Sequence, residues 1–372
     1  EKGDQANCEA NLQKALDERG DIGPKVEKAR AEMYLALASK WSLAYDEQYQ
    51  SCLKKALAEC AEVKTQVEAI RKARAEMHLA VASKCSLVDE AQYQSSLSKA
   101  LSECAGVQPQ VDSIRKVRAE MHLAVASKCT LAEETKYQSS LVKALAECAE
   151  VKPKVEAIRR ARAEMHLAVA SKCTLVDEKQ YQNSLGKALS ECAEVQPQVE
   201  AIRKARAEMH LAVAAKCTLD NEEQYQSSLS KALSECAGVQ SQVEAMRKAR
   251  AEMHLVVAAK CTLDNEEQYQ SSLSKALSEC AGVQPQIDSI RRTRAEMHLA
   301  VASKCALANE DKYQSSLEKS LSEWSGAQSK VEAIRKDRAR MYLAVATKCS
   351  LADEDKYQSI LNKALEECAG VK

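Results

Sequence analysis

Sixteen cysteines in a chain of 372 residues are the side chains with the most obvious chemistry. Fourteen of them fall into two series. One is Cys85, Cys129, Cys173, Cys217, Cys261, Cys305 and Cys349; the other is Cys60, Cys104, Cys148, Cys192, Cys236, Cys280 and Cys368. Cys8 and Cys52 stand outside both. An even count at regular spacing suggests a disulfide framework and hence an extracellular or secreted protein; the alternative is a cytoplasmic chain with free thiols. Trp41 replaces the cysteine of the first series, Trp324 that of the second, and Arg19 takes the second-series slot of the N-terminal copy. A slot that accepts Trp is not an obligatory bridge.

The other candidates recur as regularly. One histidine per unit (His78, His122, His166, His210, His254, His298) gives way to Tyr34 and Tyr342 in the outer copies. No Cys-x-x-Cys or His-x-x-x-His spacing is present, so the histidines read as planar packing residues rather than metal ligands. The series Met33, Met77, Met121, Met165, Met209, Met253, Met297 and Met341 reads as helix core rather than an adhesive groove. The series from Tyr49 through Tyr93 to Tyr357 reads as packed rings, with oxidative cross-linking as the functional alternative. The cluster Ile70-Arg71-Lys72-Ala73-Arg74 and its copies read as a solvated basic face answering the acidic start of a second helix, with anion binding as the functional alternative. No nucleophile–base–acid set, phosphate loop or carboxylate pair can be singled out, because each polar candidate has about seven equivalents. The residues therefore point to no catalytic site, no cofactor and no metal.

All these residues sit on a 44-residue period; Cys217–Gln240 recurs unchanged at Cys261–Gln284. Such a period marks a stacked array in which each unit buries its apolar face on its neighbours. The units are 24–64, 65–108, 109–152, 153–196, 197–240, 241–284, 285–328 and 329–372, after a partial copy at 1–23, and the pattern implies continuation beyond residue 372. Lys plus Arg and Asp plus Glu are both 54, which supplies no bulk attraction for nucleic acid or an anionic membrane. Phe is absent, so stacking platforms for single-stranded bases are scarce. Nor does any run approach the roughly 18 apolar residues of a membrane span.

In the unit 153–196, Val155, Ile158, Met165 and Val169 mark a helix face, predicting a first helix of about 18–20 residues. Thr174 and Asp177 then resemble a capping box, or Asp177 serves as N-cap itself. Tyr181, Leu185, Ala188, Leu189 and Cys192 form the stripe of a second helix, closing near Glu194-Val195. Gly106…Pro109 and Gly282…Pro285 carry ordinary helix stop and start signals at that junction, whereas Glu62-Val63-Lys64-Thr65 has neither. Two all-α arrangements follow. Either each unit is a helix–turn–helix hairpin in an elongated, α-solenoid-like array, or kinked helices of about 38 residues fold back antiparallel at each Ser/Thr-Leu site.

These helices constrain the cysteines. Cys129 and Cys148 lie at opposite ends of one helix, about 25 Å apart. A disulfide needs Cα atoms within about 7 Å. The thiols are then buried as small apolar residues, or link neighbouring chains, or staple units whose helices lie differently. Identical units offer identical contacts at fixed intervals, so the expected function is a non-enzymatic structural protein. Its expected partner is itself, in a filament, capsule or matrix. The alternative is a solenoid scaffold presenting a repeated surface to another protein.

Overall fold

A computed structural model describes residues 2–18, 23–349 and 353–369. Arg19, Ser350 and Lys372 lie outside the described residues, as does the side chain of Cys368. Among those described, every regular element is an α-helix or a single 3-10 turn. The chain divides into two compact units, one of Glu1–Cys173 with Asp177–Gln196 and one of Thr174–Val176 with Pro197–Lys372. In the first, after a helix at Lys2–Glu18, long helices Gly23–Ala38, Lys64–Lys84, Gln108–Lys128 and Lys152–Lys172 alternate with short helices Asp46–Glu59, Glu90–Glu103, Glu134–Glu147 and Glu178–Glu191. In the second, long helices Gln196–Ala215, Gln240–Lys260, Gln284–Lys304 and Gln328–Ala346 alternate with short helices Glu222–Glu235, Glu266–Glu279, Glu310–Glu323 and Glu354–Ala369.

The physical basis is the same throughout. The long helix Lys64–Lys84 is built from good helix formers and buries Val67, Arg74, Ala75, His78, Leu79 and Ala82 on one face. The short helix Glu90–Glu103 buries Tyr93, Ser96, Leu97 and Ala100 at spacings of three and one, again one helical face. Ala75 and Ala100 are fully buried where the two meet, and small side chains there let the helix axes approach closely. Ser96 fits the same seam because its hydroxyl donates to the Gln92 carbonyl at 2.8 Å, leaving no unpaired polar group.

Between the helices the chain reverses over Ser86–Asp89. The Asp89 carboxylate accepts both the Ser86 amide (3.1 Å) and the Ser86 hydroxyl (2.6 Å). Asp89 holds the N-cap position but makes no side-chain bond to the first turn of the helix. The hydroxyl-to-acid spacing is thus a turn lock, with only the acid-to-amide half of a capping box. Glu133 repeats it with Thr130, and Asn221 with Thr218.

The second junction decides between the two arrangements. The short helix ends at Glu103, earlier than its apolar stripe suggested, and Cys104 is extended (φ −150°, ψ 107°) before the 3-10 turn Ala105–Val107. Arg118 in the next long helix then lies 2.6 Å from Glu90 at the start of the short one. In collinear helices those residues, 28 apart, would be about 42 Å from each other. The chain therefore turns back here as well, and the hairpin arrangement holds. Pro109 occupies the first turn of its helix, where a missing N–H costs nothing, so Thr65 serves equally well at the corresponding place. The junction glycine is no left-handed cap. No described glycine has positive φ, which is why Glu62, Glu150 and Glu194 substitute for it.

Within each unit the core of one repeat is completed by the following repeat. Ala75, Leu79, Ala82, Tyr93, Leu97 and Ala100 cluster with Val107 of the 3-10 turn and Val111 of the next long helix. One 44-residue copy cannot close its own core, the defining property of a stacked repeat. The eight methionines of the repeating series are not core residues. Met33, Met77, Met121 and Met165 of the first unit, and Met209, Met253, Met297 and Met341 of the second, are 38–47% exposed. The expectation of core methionines fails because Arg, Ala and His fill the inner face that the Val155-to-Met165 spacing had assigned to Met.

Two glycines test the packing. A Cβ at Gly186, mid-helix, meets nothing within 4 Å, so Gly186→Ala is expected to stabilise the protein by about 0.5–1 kcal/mol. A Cβ at Gly326 would overlap the Trp324 ring. Gly326→Ala is therefore expected to cost about 1–3 kcal/mol. Thermal unfolding of the two variants should move in opposite directions.

Candidate functional site

The most elaborate side-chain constellation joins each repeat to the next, and it is a clasp centred on a buried arginine. Arg118 is 2% exposed. Its guanidinium lies over the Tyr93 ring, 3.9 Å from the centroid. It donates to Glu90 Oε2 at 2.6 Å and to the Ser86 carbonyl at 3.2 Å, both in the preceding hairpin. Its Nε is 3.7 Å from Glu147 Oε1, at the end of its own repeat's short helix. The Tyr93 hydroxyl donates to the other oxygen of Glu147 at 2.8 Å. One guanidinium thus ties together a turn, a helix start, an aromatic face and the next short helix. Arginine suits this role because its planar fork reaches several acceptors while its face stacks on a ring.

The clasp recurs. In the first unit Arg74 stacks on Tyr49 and pairs with Asp46 and Glu103, and Arg162 stacks on Tyr137 and pairs with Glu134. In the second unit Arg250, Arg294 and Arg338 stack on Tyr225, Tyr269 and Tyr313 and pair with Glu222, Glu266 and Glu310. Bonds from Gln94 and Arg118 hold the Glu90 carboxyl below the usual range. Burial, then the bond to Glu147, pushes the Tyr93 hydroxyl up; burial and the Glu279 charge push Tyr225 up to about 12. The expectation of a solvated basic face is thus corrected. Of the three basic residues in the cluster 70–74, Lys72 is exposed and Arg71 half-buried, whereas Arg74 is buried under the preceding repeat. That the arginine answers the acidic start of a short helix is what the structure shows.

The histidines stand one turn beyond each clasp arginine and are buried at 4–6% exposure. Among the described residues, no group of three His, Cys, Asp or Glu side chains is placed to hold a metal ion.

Fifteen cysteines are described, and all are free. First-series thiols follow the long helix, and those of Cys85, Cys129, Cys173, Cys217 and Cys261 donate to the carbonyl four residues back, as Cys85 does to Val81 (3.4 Å) and Cys129 to Val125 (3.3 Å). Second-series thiols occupy the extended residue after the short helix; Cys60, Cys104, Cys148, Cys192, Cys236 and Cys280 are all half-buried there. Cys60 and Cys85 therefore bracket the 21-residue helix Lys64–Lys84, about 30 Å of rise, which rules out local staples between consecutive cysteines. Trp324 shows why its slot tolerates replacement. The side chain lies over Gly326 and under the Arg292 guanidinium, 4.8 Å away, so an indole finds room where a thiol otherwise sits.

The exposed face of the long helices is the remaining candidate. Between Lys64–Lys84 and Gln108–Lys128 runs an open groove of about 100 Å³, lined in part by Ala82, Cys85, Ile114, Val117 and Met121. Two charge pairs beside this stripe are made within the chain, Lys154 with Glu120 in the first unit and Lys330 with Glu296 in the second. No helix of the described residues is long and apolar enough to cross a membrane. Compared with known protein families, with curated proteins and with solved structures, the chain matches none.

Proposed function

We propose that this chain is a non-enzymatic structural repeat protein that assembles with copies of itself through the exposed faces of its long helices. One observation carries the reading: a methionine, 38–47% exposed, stands at the same place on every long helix. A partner that uses these sites together must present apolar groups at the same 44-residue interval, and a second copy of the chain does so by construction. The pairs Lys154–Glu120 and Lys330–Glu296 beside the stripe reduce the charge that like faces present to one another there. Weak identical contacts then multiply through avidity. Disulfides between chains, in an extracellular setting, belong to the same reading. They are supported by cysteines that repeat with the array and are kept from their sequence neighbours by whole helices.

Static light scattering tests it. The native chain should give particles heavier than 40.8 kDa that grow with concentration. Each apolar side chain withdrawn from water contributes about 1.5–3 kcal/mol. The triple variant M77K/M121K/M165K should therefore weaken association by more than about a hundredfold without loss of helical content. Equal association of variant and native chain would exclude the methionine face.

A further inference from the structure

We propose that the six buried histidines form an acid-operated release, loosening the stack of repeats as the pH falls below about 6.5. The argument starts from place. Every histidine lies on the inner face of a long helix, four residues after the clasp arginine, at 4–6% exposure. The groups facing it come from three elements. His78 faces Arg74 on its own helix, Lys99 on the short helix of its hairpin and Asp46 on the preceding short helix. His122 faces Arg118, Lys143 and Glu90; His166 faces Arg162, Lys187 and Glu134. In the second unit His254 faces Arg250, Lys275 and Glu222, and His298 faces Arg294, Lys319 and Glu266.

Each of these sites thus holds two cations against one carboxylate before the imidazole takes any proton. The carboxylate is already engaged by the arginine, as Glu266 is by Arg294 at 2.6 Å. An imidazolium would place a third positive charge in a seam closed to water. Burial, followed by the arginine and lysine charges, holds each of these imidazoles below its ordinary range and so neutral in the stack. In the unfolded chain the same groups titrate near 6.5. The folded state therefore binds fewer protons, and stability falls as pH drops from about 6.5 through the folded values. Because the site is copied, the effect accumulates along the array. The outer copy supports the assignment: Tyr342, which cannot become a cation, replaces histidine there and donates to Glu310 at 2.9 Å.

Other groups act elsewhere on the pH scale. Glu90, Glu134, Glu222, Glu266 and Glu310 are held below the ordinary carboxylate range, so their contribution is lost only below about pH 4.5. Glu279 and Glu367 are raised, chiefly by burial, and act with opposite sign. The raised carboxyls release protons on unfolding above about pH 4.5, so the histidine contribution is the difference between the native chain and one without its histidines.

Urea unfolding of the full chain at several pH values between about 7.5 and 5 tests the proposal, because the slope of stability on pH counts protons taken up on unfolding. The native chain should take up protons on unfolding as the pH falls below about 6.5. A chain with all six histidines replaced by Tyr, as at Tyr34 and Tyr342, should take up fewer than the native chain over the same range. Should that chain not fold, the single variant H122Y should lower the count. An uptake in the histidine-free chain equal to that of the native chain, or an unchanged count in H122Y, would overturn the proposal.

Discussion

Replacing Arg118 with alanine is expected to cost about 3–5 kcal/mol and to open the array locally, since removal of one partner leaves the other buried charges uncompensated. Glu147, nearly buried, would lose its cation, Glu90 its 2.6 Å partner, the Ser86 carbonyl its donor and Tyr93 the cation on its face. Stability in stacked repeats is close to a sum of unit and interface contributions. The loss should therefore appear as weakened protection around the affected junction, not as uniform softening. Hydrogen exchange over residues 86–128 measures it directly. Arg118→Lys should recover little, because an ammonium keeps the charge but not the planar fork. A cost below about 1 kcal/mol would mean that the clasp behaves as an ordinary surface ion pair.

The second large effect is expected at Tyr269 in the other unit. Its ring is buried beneath Arg294, 4.0 Å from the guanidinium carbon, and its hydroxyl donates to Glu323 at 2.9 Å. Tyr269→Ala removes the ring from a closed core and should cost about 3–5 kcal/mol. Tyr269→Phe keeps the ring and the cation–π contact, and should cost only about 1 kcal/mol for the lost hydrogen bond. Denaturant unfolding of the pair separates ring packing from hydroxyl bonding. Equal costs would show that the hydroxyl dominates and that the stack is incidental.

The 44-residue period, the two helices and the break at Ser86–Asp89 were all legible in the residues, since apolar spacing and helix-forming composition act locally. The fold-back at Cys104 was signalled in part: Gly106 and Pro109 mark a stop and a start, but the apolar phase runs through the junction, and the contact of Arg118 with Glu90 decides the matter. Misplacing the methionines had a related cause. A 3.6-residue period fixes the angular separation of residues but not which stripe faces inward, and hydrophobicity alone favoured Met121 over Arg118 and His122. One internal signal did mark the clasp. Position 118 is Arg in every copy from Arg30 to Arg338, whereas two residues earlier Lys72, Lys116, Arg160, Lys204, Lys248, Arg292 and Lys336 interchange. A solvated face tolerates either cation; a stacked, multiply bonded site does not.

Near-identity of the copies has a consequence for function. Whatever one exposed long-helix face can hold, each neighbouring face can hold too, so a contact too weak to matter once becomes strong when repeated in register. The interior is used up in joining repeat to repeat, through Arg, Tyr, Glu and His. The outward face, with Met121 and Val117 beside a shallow groove, is the surface to which the proposed function assigns association. Sedimentation velocity of the full chain under reducing conditions, over a wide range of concentrations, tests that claim most directly. Species heavier than 40.8 kDa that increase with concentration are the predicted result; a single 40.8 kDa species at every concentration would contradict it.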